Sequence, residues 1–315
     1  MLNRRRFLGT TFGAVAGTAP GQTAAPRTYT YKTAEGCAIQ ADVYGAEAST
    51  AKPAVMWIHG GALINGSRKG LVKPFHEELL KQGFVVVSID YRLAPETKLP
   101  AIIGDLRDAW RWVHKSGPKL FAIDPEKVAV AGGSAGGYLT LMTGFAVSPR
   151  PRALVSYYGY GDITAEWYSR SDPFYLKQPA VPEEEARHAV GSFAISEPSP
   201  KSQRGRFYLY CRQKGIWPKE VAGRDPDRDP RWFDRYCPLR NVSAKYPPVL
   251  LIHGTEDTDV PFSESEKMDA RLTEAGVTHE FIRVPGAGHG LSGAKPEETS
   301  RIAARAAGFI KSHAA

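Results

Sequence analysis

Ser134 is the residue whose surroundings most clearly suggest chemistry. It lies in the glycine-rich stretch Gly132–Gly137, between the apolar run Val128–Ala131 and the segment Tyr138–Thr143. The run predicts a buried strand and the segment predicts the start of a helix. A sharp turn between them needs glycine at 132 and 136, because a side chain there would collide with the neighbouring strand or helix. Such a turn exposes a serine hydroxyl as a nucleophile, although Gly-x-Ser-x-Gly also occurs by chance in flexible turns.

A serine hydroxyl at neutral pH needs a base within hydrogen-bond reach, and the base needs an acid that orients it. His289 is the best candidate for the base among the eight histidines. It lies in the glycine-rich stretch 285–290, just after the last predicted strand. A histidine there can reach over the edge of a sheet with no bulky neighbours, but taken alone it is as compatible with an ordinary surface loop.

The acid should follow the strand before that one, where the stretch 253–261 supplies three carboxylates. We choose Asp257, which gives the chain order serine, acid, histidine. Glu256 and Asp259 are close rivals, and we expect them to cap the next helix or to face solvent. Asp162 is a weaker alternative acid.

A third requirement is a set of N–H groups that stabilise the developing oxyanion. The stretch His59–Ala62 follows another predicted strand, and backbone N–H groups in such a loop can point at the oxyanion. The N–H of Ala135, just after the nucleophile, is a further donor. We expect His59 to hold the loop in shape rather than touch substrate, and His253 to be structural.

The elements that must position these residues alternate between apolar runs and helical patterns. This alternation predicts a mostly parallel sheet covered by helices on both faces. The eight predicted strands are an antiparallel pair at Thr28–Lys32 and Ala38–Tyr44, then Ala54–His59, Phe84–Asp90, Lys127–Ala131, Arg152–Tyr157, Val249–His253 and Glu280–Val284. Besides the helix after Ser134, helices are predicted at Ala101–Lys115, Ser263–Ala275 and Pro296–Ser312.

Residues 160–246 do not follow this alternation of strands and helices. They are rich in Pro, Arg and Asp, yet they hold 14 of the 33 aromatic residues. A linker would not carry so many aromatics. We expect an inserted, lid-like segment that packs over the C-terminal edge of the sheet, where ligands bind in open α/β sheets. The alternative is a peripheral subdomain with its own small core.

The 315-residue chain is long enough for one large domain, which we place at residues 26–315. The first 25 residues resemble a twin-arginine export signal around Arg4–Arg6, which predicts an exported, periplasmic or extracellular protein. Cleavage after Ala16 or nearer Ala25 is compatible with the sequence, and a disordered basic tail is the alternative interpretation. No apolar run reaches the roughly 20 residues of a membrane-spanning helix, so no stable membrane anchor is expected.

Charge and cysteine content narrow the classes of partner. Three of the +8 net charges lie in the predicted signal, so a nucleic-acid role is not supported. The cysteines, Cys37, Cys211 and Cys237, lack metal-ligand spacing. A disulfide between Cys211 and Cys237 and three free thiols are equally compatible with an exported protein.

Three motifs now point to a known family. His59–Ala62, Asp90–Glu96 and Gly132–Gly137 resemble the α/β-hydrolase superfamily, and within it the hormone-sensitive-lipase-like and acetyl esterase/lipase group. The run Asp-Tyr-Arg-Leu-Ala-Pro-Glu is the most group-specific of them. The resemblance covers about residues 28–160 and 246–312, and it implies the α/β-hydrolase fold.

The resemblance also implies roles: Ser134 as nucleophile, His289 as base, Asp257 as acid, and Gly61, Ala62 and Ala135 as oxyanion N–H donors. It implies hydrolysis of carboxylic esters through an acyl-enzyme, without metal or organic cofactor. Short-chain acyl or aromatic esters are expected, as small molecules or linked to a polysaccharide. The family's usual third glycine is Ala62 here, so a methyl group crowds the oxyanion site. The family's N-terminal cap is expected to be absent, and the insertion to take its place.

Two other functions stay open. The stretches His253–Pro261 and Gly286–Leu291 resemble the C-terminal part of prolyl-oligopeptidase-type peptidases, so an exopeptidase or amidase using the same triad is the alternative enzyme. It would need a group that captures a peptide terminus, such as Glu183, Glu184 or Glu185. A non-catalytic binding protein is the third hypothesis, and the complete triad argues against it.

Overall fold

The computed structural model describes residues 25–46 and 50–314. The predicted export signal therefore lies outside the described residues, apart from its last residue. Within the described residues, no helix combines the length and apolar character needed to cross a membrane.

An eight-stranded sheet forms the centre of the fold. Its strands, numbered along the chain, are β1 (Arg27–Ala34), β2 (Cys37–Tyr44), β3 (Lys52–Ile58), β4 (Val85–Ile89), β5 (Ile123–Gly133), β6 (Leu154–Tyr157), β7 (Val249–Gly254) and β8 (His279–Val284). Their spatial order is β1-β2-β4-β3-β5-β6-β7-β8. β1 pairs antiparallel with β2 and β2 pairs antiparallel with β4, whereas the remaining pairs are parallel. The predicted antiparallel opening pair and mostly parallel sheet are confirmed.

Helices cover both faces of the sheet. The α-helices are α1 (Lys73–Lys81), α2 (Leu99–Phe121), α3 (Ala135–Ala146), α4 (Glu166–Ser169), α5 (Glu183–His188), α6 (Arg204–Lys214), α7 (Trp217–Ala222), α8 (Pro238–Asn241), α9 (Ser263–Glu274) and α10 (Pro296–Ala314). Alternate residues of β3 enter two different cores, Met56 on the side of α2 and α3, and Trp57 on the side of α1 and α10. Side chains alternate between the faces of a strand, so an unbroken apolar run serves both cores.

Two helices differ from the sequence prediction. The helix predicted at 101–115 extends over Leu99–Phe121, although Gly117 and Pro118 favour an earlier end. Phe121 is buried, so packing of the last turn outweighs local propensity. α1 was not predicted, since it buries mainly Phe75 and Leu79 within an otherwise polar segment.

Residues 160–246 lie between β6 and β7 and contain α4 to α8 with two short 3₁₀ turns. Their aromatic side chains form a stack in which Trp167, Tyr168 and Trp217 follow one another, with ring centroids 3.6 and 3.9 Å apart. Trp217 is fully buried and belongs to the same core as α2 and α3. The segment is therefore packed onto the sheet domain. Cys211 and Cys237 are both buried free thiols in this structure, and no disulfide joins them.

Candidate active site

Ser134 occupies the turn between β5 and α3, with backbone angles φ 57° and ψ −122°. A non-glycine residue held in such a conformation typically costs about 1–3 kcal/mol, which the surrounding structure must offset. The turn lies directly against the end of β3. A Cβ on Gly132 would come within 2.7 Å of the carbonyl oxygen of Ile58, and one on Gly136 would come closer still. The predicted need for glycine at both positions is confirmed.

The structure brings the three predicted catalytic side chains into one hydrogen-bonded line. The Ser134 hydroxyl lies 3.1 Å from His289 Nε2. On the other side of the imidazole, Nδ1–H donates to Asp257 Oδ2 over 2.7 Å. The edge of the ring packs against Tyr158, with centroids 4.9 Å apart, which limits its rotation. This is the arrangement in which a histidine can take the serine proton.

Four donors hold the Asp257 carboxylate, whose side chain is inaccessible to solvent. Oδ1 accepts the backbone N–H groups of Asp259 and Val260, at 2.8 and 2.9 Å. Oδ2 accepts His253 Nε2–H at 3.1 Å, in addition to His289. The other His253 nitrogen accepts the Ser265 hydroxyl at 2.7 Å, which fixes the tautomer. His253 is structural, as expected, but it also contacts the acid. Its position four residues before Asp257 is the signal that could have revealed this contact.

These contacts set the charges of the pair. Burial raises the pKa of Asp257, but hydrogen bonds from His253 and His289 outweigh it and bring that pKa well below its usual range. Burial lowers the pKa of His289, whereas the hydrogen bond to Asp257 and the charges of Asp259 and Asp257 raise it, with a net upward shift. The acid is therefore ionised at neutral pH, and it favours an imidazolium on His289.

The rival acids have other surroundings. Glu256 faces solvent, as expected. Asp162 accepts the N–H of Thr164 and lies beside Arg240, away from the histidine. The expectation that Asp259 caps a helix or faces solvent is wrong. Its carboxylate is only 20% exposed, and it is held by side chains of the insertion. A buried arginine on the insertion draws it inward, a partner that local sequence does not reveal.

The predicted oxyanion donors lie in the loop after β3 and at the start of α3. Among the described residues, the N–H groups of Gly61, Ala62 and Ala135 donate to no protein acceptor. Gly61 and Ala62 line the same cavity as Ser134, and Ala135 is the residue after it. His59, buried and stacked on Tyr91 at 4.3 Å, contacts the Gly60 carbonyl oxygen through Nδ1 at 2.7 Å. Burial lowers the pKa of His59 to about 4, so it is neutral and shapes the loop, as expected.

Side chains of the insertion hold the loop after β3 in place. Trp217 Nε1–H donates to the Ala62 carbonyl oxygen over 2.9 Å. Arg204 Nε donates to the Ile64 carbonyl oxygen at 2.5 Å, and its guanidinium pairs with Glu96 at 2.6 Å. These groups lie on α6 and α7, which the sequence does not predict as helices. The loop geometry thus depends on contacts across more than 100 residues of chain.

Ser134 opens into a cavity of about 420 Å³. Its apolar walls come from Trp57, Leu71, Val72 and Tyr158, none of which was predicted. Each lies at or just beyond a strand end or in a loop that the fold brings to this edge. From the insertion, Gly205 and Tyr208 line the cavity. The stacked rings of Trp167, Tyr168 and Trp217 are not part of this lining.

Comparison with known proteins identifies the family. Residues 41–272 match the model of the BD-FAE family, about three quarters of the chain. The chain belongs to the BD-FAE family. Residues 237–311 also match the dienelactone hydrolase family. The resemblance to the α/β-hydrolase superfamily and its hormone-sensitive-lipase-like group is confirmed, and so is the predicted α/β-hydrolase fold.

Two curated proteins are similar to this BD-FAE family member. Esterase LipC of Mycobacterium tuberculosis is 30% identical over 259 residues, covering 80% of this chain and 57% of LipC. The non-reducing polyketide synthase Preu6 of Preussia isomera is 29% identical over 297 residues, covering 84% of this chain and 13% of the synthase. The chain therefore spans only part of both proteins. Among solved structures, an esterase of Pyrobaculum calidifontis has a TM-score of 0.66 at 26% identity, covering 92% of this chain and 86% of that one.

Proposed function

We propose that this protein hydrolyses carboxylic esters, with Ser134 as nucleophile, His289 as general base and Asp257 as the orienting acid. The observation that carries the proposal is the line of two hydrogen bonds, 3.1 and 2.7 Å long, that ends at a serine in an open cavity. Similarity to LipC and to the Pyrobaculum calidifontis esterase supports ester substrates.

We assign each step of the proposed reaction to one group. Ser134 Oγ attacks the ester carbonyl carbon while its proton passes to His289 Nε2. The N–H groups of Gly61, Ala62 and Ala135 stabilise the tetrahedral oxyanion, and each such donor is worth about 3 kcal/mol in other enzymes. His289 then returns the proton to the alcohol oxygen as the carbon–oxygen bond breaks. Water, activated by the same histidine, releases the acid and restores Ser134.

The cavity supports substrates with a short acyl chain or an aromatic group. About 420 Å³ is at the small end of ligand pockets, and the walls around Ser134 are largely apolar. The Ala62 side chain takes up further space at the oxyanion site. We place both small-molecule esters and esters linked to a polysaccharide within the proposal.

The alternative of a peptidase loses its proposed anchor. Glu184 and Glu185 line a separate cavity with His188 and Lys201, and neither they nor Glu183 are among the described residues that line the Ser134 cavity. Asp259 is the one acidic residue in that lining, and its Oδ1 is paired with Arg212, which leaves only Oδ2 for a peptide amine.

Hydrolysis of p-nitrophenyl acetate and butyrate by purified protein tests the activity. The wild type should hydrolyse both esters. It should lose this activity after an organophosphonate has reacted with Ser134. Ser134→Ala should fall to the background rate and take up no phosphonate. Equal rates for the wild type and Ser134→Ala would refute the proposal. Amino-acyl anilides cleaved faster than the esters would favour the peptidase.

We also propose that the protein is exported through a twin-arginine signal at Arg4–Arg6. Cell fractionation of the full chain should find it outside the cytoplasm, and replacing Arg4, Arg5 and Arg6 with lysine should retain it inside. Unchanged export of the lysine variant would contradict this mechanism.

A further inference from the structure

Asp259 presents one fixed and one free oxygen beside the active serine. Oδ1 accepts three hydrogen bonds, from Tyr175 Oη at 2.7 Å, Tyr208 Oη at 2.5 Å and Arg212 Nη1 at 2.7 Å. Arg212 is itself fully buried and pairs with Asp172 at 2.5 Å through its other terminal nitrogen. Three donors on one oxygen lock the plane of the carboxylate, so the direction of Oδ2 is fixed as well.

Oδ2 faces the reaction centre. It lies 3.5 Å from His289 Nε2, the atom that exchanges a proton with Ser134, and Asp259 lines the Ser134 cavity. Among the described residues, no group donates a hydrogen bond to Oδ2. A carboxylate oxygen that is held in place, partly exposed to the cavity and without a donor needs one from solvent or from a substrate.

The position of Oδ2 identifies the part of the substrate it would meet. In the proposed reaction Nε2 gives its proton to the leaving alcohol, so the ester oxygen lies about 3 Å from Nε2 during that step. Oδ2 also lies beside Nε2, at 3.5 Å, on the wall of the same cavity. A hydroxyl on the carbon next to the ester-bearing carbon therefore comes within reach of it. The acyl side, held towards Gly61 and Ala62, does not.

The charge of the cavity supports the same assignment. Asp259 is the one acidic side chain among the described residues that line it. We propose that Asp259 Oδ2 recognises a hydrogen-bond donor on the alcohol part of the ester, so that monoesters of vicinal diols are preferred over esters of simple alcohols. This inference rests on the proposed ester hydrolysis. Asp259 is a specificity-determining residue in it.

Three matched acetates test the inference with the wild-type protein. 2-Hydroxyethyl acetate carries the donor, propyl acetate replaces the hydroxyl with a methyl group, and 2-methoxyethyl acetate keeps the oxygen but lacks the donor. A hydrogen bond to a charged group predicts a kcat/KM about 10-fold or more higher for the hydroxyethyl ester than for either of the others. An active enzyme with equal kcat/KM for all three overturns the inference alone. Activity on p-nitrophenyl acetate without activity on the hydroxyethyl ester also overturns the inference, whereas inactivity on all of these esters overturns the proposed function.

Variants of Asp259 and Asp172 test which side chain causes the preference for the hydroxyethyl ester. Asp259→Asn should reduce the ratio of hydroxyethyl to propyl acetate to a few-fold at most, and Asp259→Ser provides a second replacement if the asparagine variant does not fold. Asp172→Asn is the matched control, since it alters the same arginine network outside the cavity lining, and it should keep the wild-type ratio. A ratio that survives removal of the Asp259 carboxylate, or that falls equally in Asp172→Asn, would overturn the assignment.

Discussion

The role of the insertion can be tested by removing one hydrogen-bond donor, the indole N–H of Trp217. Its Nε1–H is the donor to the Ala62 carbonyl oxygen at 2.9 Å, and the indole is fully buried. Trp217→Phe keeps an aromatic ring stacked on Tyr168 but removes this donor. The Ala62 carbonyl oxygen then loses a buried partner, which typically costs about 1–3 kcal/mol.

The consequence for catalysis follows from the position of Ala62. Its peptide groups carry a proposed oxyanion donor, and the orientation of that N–H depends on the backbone that Trp217 holds. Loss of one oxyanion donor lowers kcat by about 100-fold or more in other enzymes. Partial displacement of the Ala62 N–H predicts a kcat about 10- to 100-fold lower for Trp217→Phe. KM should change much less, since the donor stabilises the transition state more than bound substrate.

Trp167→Phe is the matched control for this experiment. Trp167 belongs to the same aromatic stack, 3.6 Å from Tyr168, but its Nε1–H has no acceptor among the described residues. Its replacement should leave kcat for p-nitrophenyl acetate near the wild-type value. Denaturant unfolding of both variants separates stability from catalysis. If Trp217→Phe keeps wild-type kcat, or if both variants lose the same activity, the insertion does not act through the Ala62 carbonyl group.

Three further predictions concern the site. Ala62→Gly should raise the kcat/KM ratio of benzoyl to acetyl esters several-fold, because Ala62 lines the cavity and adopts φ 55°, which glycine tolerates; an unchanged ratio would show that the methyl group does not limit the acyl site. The acid limb of the wild-type kcat/KM profile should lie above pH 6.5, because His289 must be neutral to accept the serine proton and its pKa is raised. Asp259→Asn removes a charge that raises this pKa, so the limb should move to lower pH in that variant. Movement of the limb to higher pH would contradict the assignment. Gly136→Ala should destabilise the fold by about 3 kcal/mol or abolish soluble expression, because its Cβ would collide with backbone atoms at the end of β3; a wild-type melting temperature would refute this.

The strands could be predicted from the sequence because the physics that forms them is local. Parallel strands buried on both faces are nearly continuous apolar runs, so segments such as Val249–Ile252 stand out from their surroundings. The order of the site residues follows from the same arrangement, since Ser134, Asp257 and His289 each lie within a few residues of the end of a strand. Ser134, Asp257 and His289 meet because their strand ends lie at one edge of the sheet.

The insertion could not be predicted in the same way, because its core includes charged side chains. α6 buries three polar side chains as well as apolar ones, so apolar residues alone do not mark its inward face. The buried residues are Arg204, Phe207, Tyr210, Cys211, Arg212 and Gln213. Arg212 is stable there because four aromatic rings surround it and two carboxylates pair with it. Those partners are spread over three separate segments of the chain. A buried arginine of this kind is recognisable only once the fold has placed its partners.

The choice between Asp257 and Asp259 shows what decides a role that sequence leaves open. Both carboxylates follow β7, two residues apart, and both lie within reach of the imidazole. Asp257 Oδ1 accepts the N–H groups of residues 259 and 260, which closes a tight turn and directs Oδ2 to Nδ1 of His289. The same turn places Asp259 on the opposite side, towards Nε2, where Arg212 holds it. One carboxylate therefore orients the base from behind. In the proposed reaction the other faces the leaving alcohol, so exchanging their roles would require a different turn and not only a different residue.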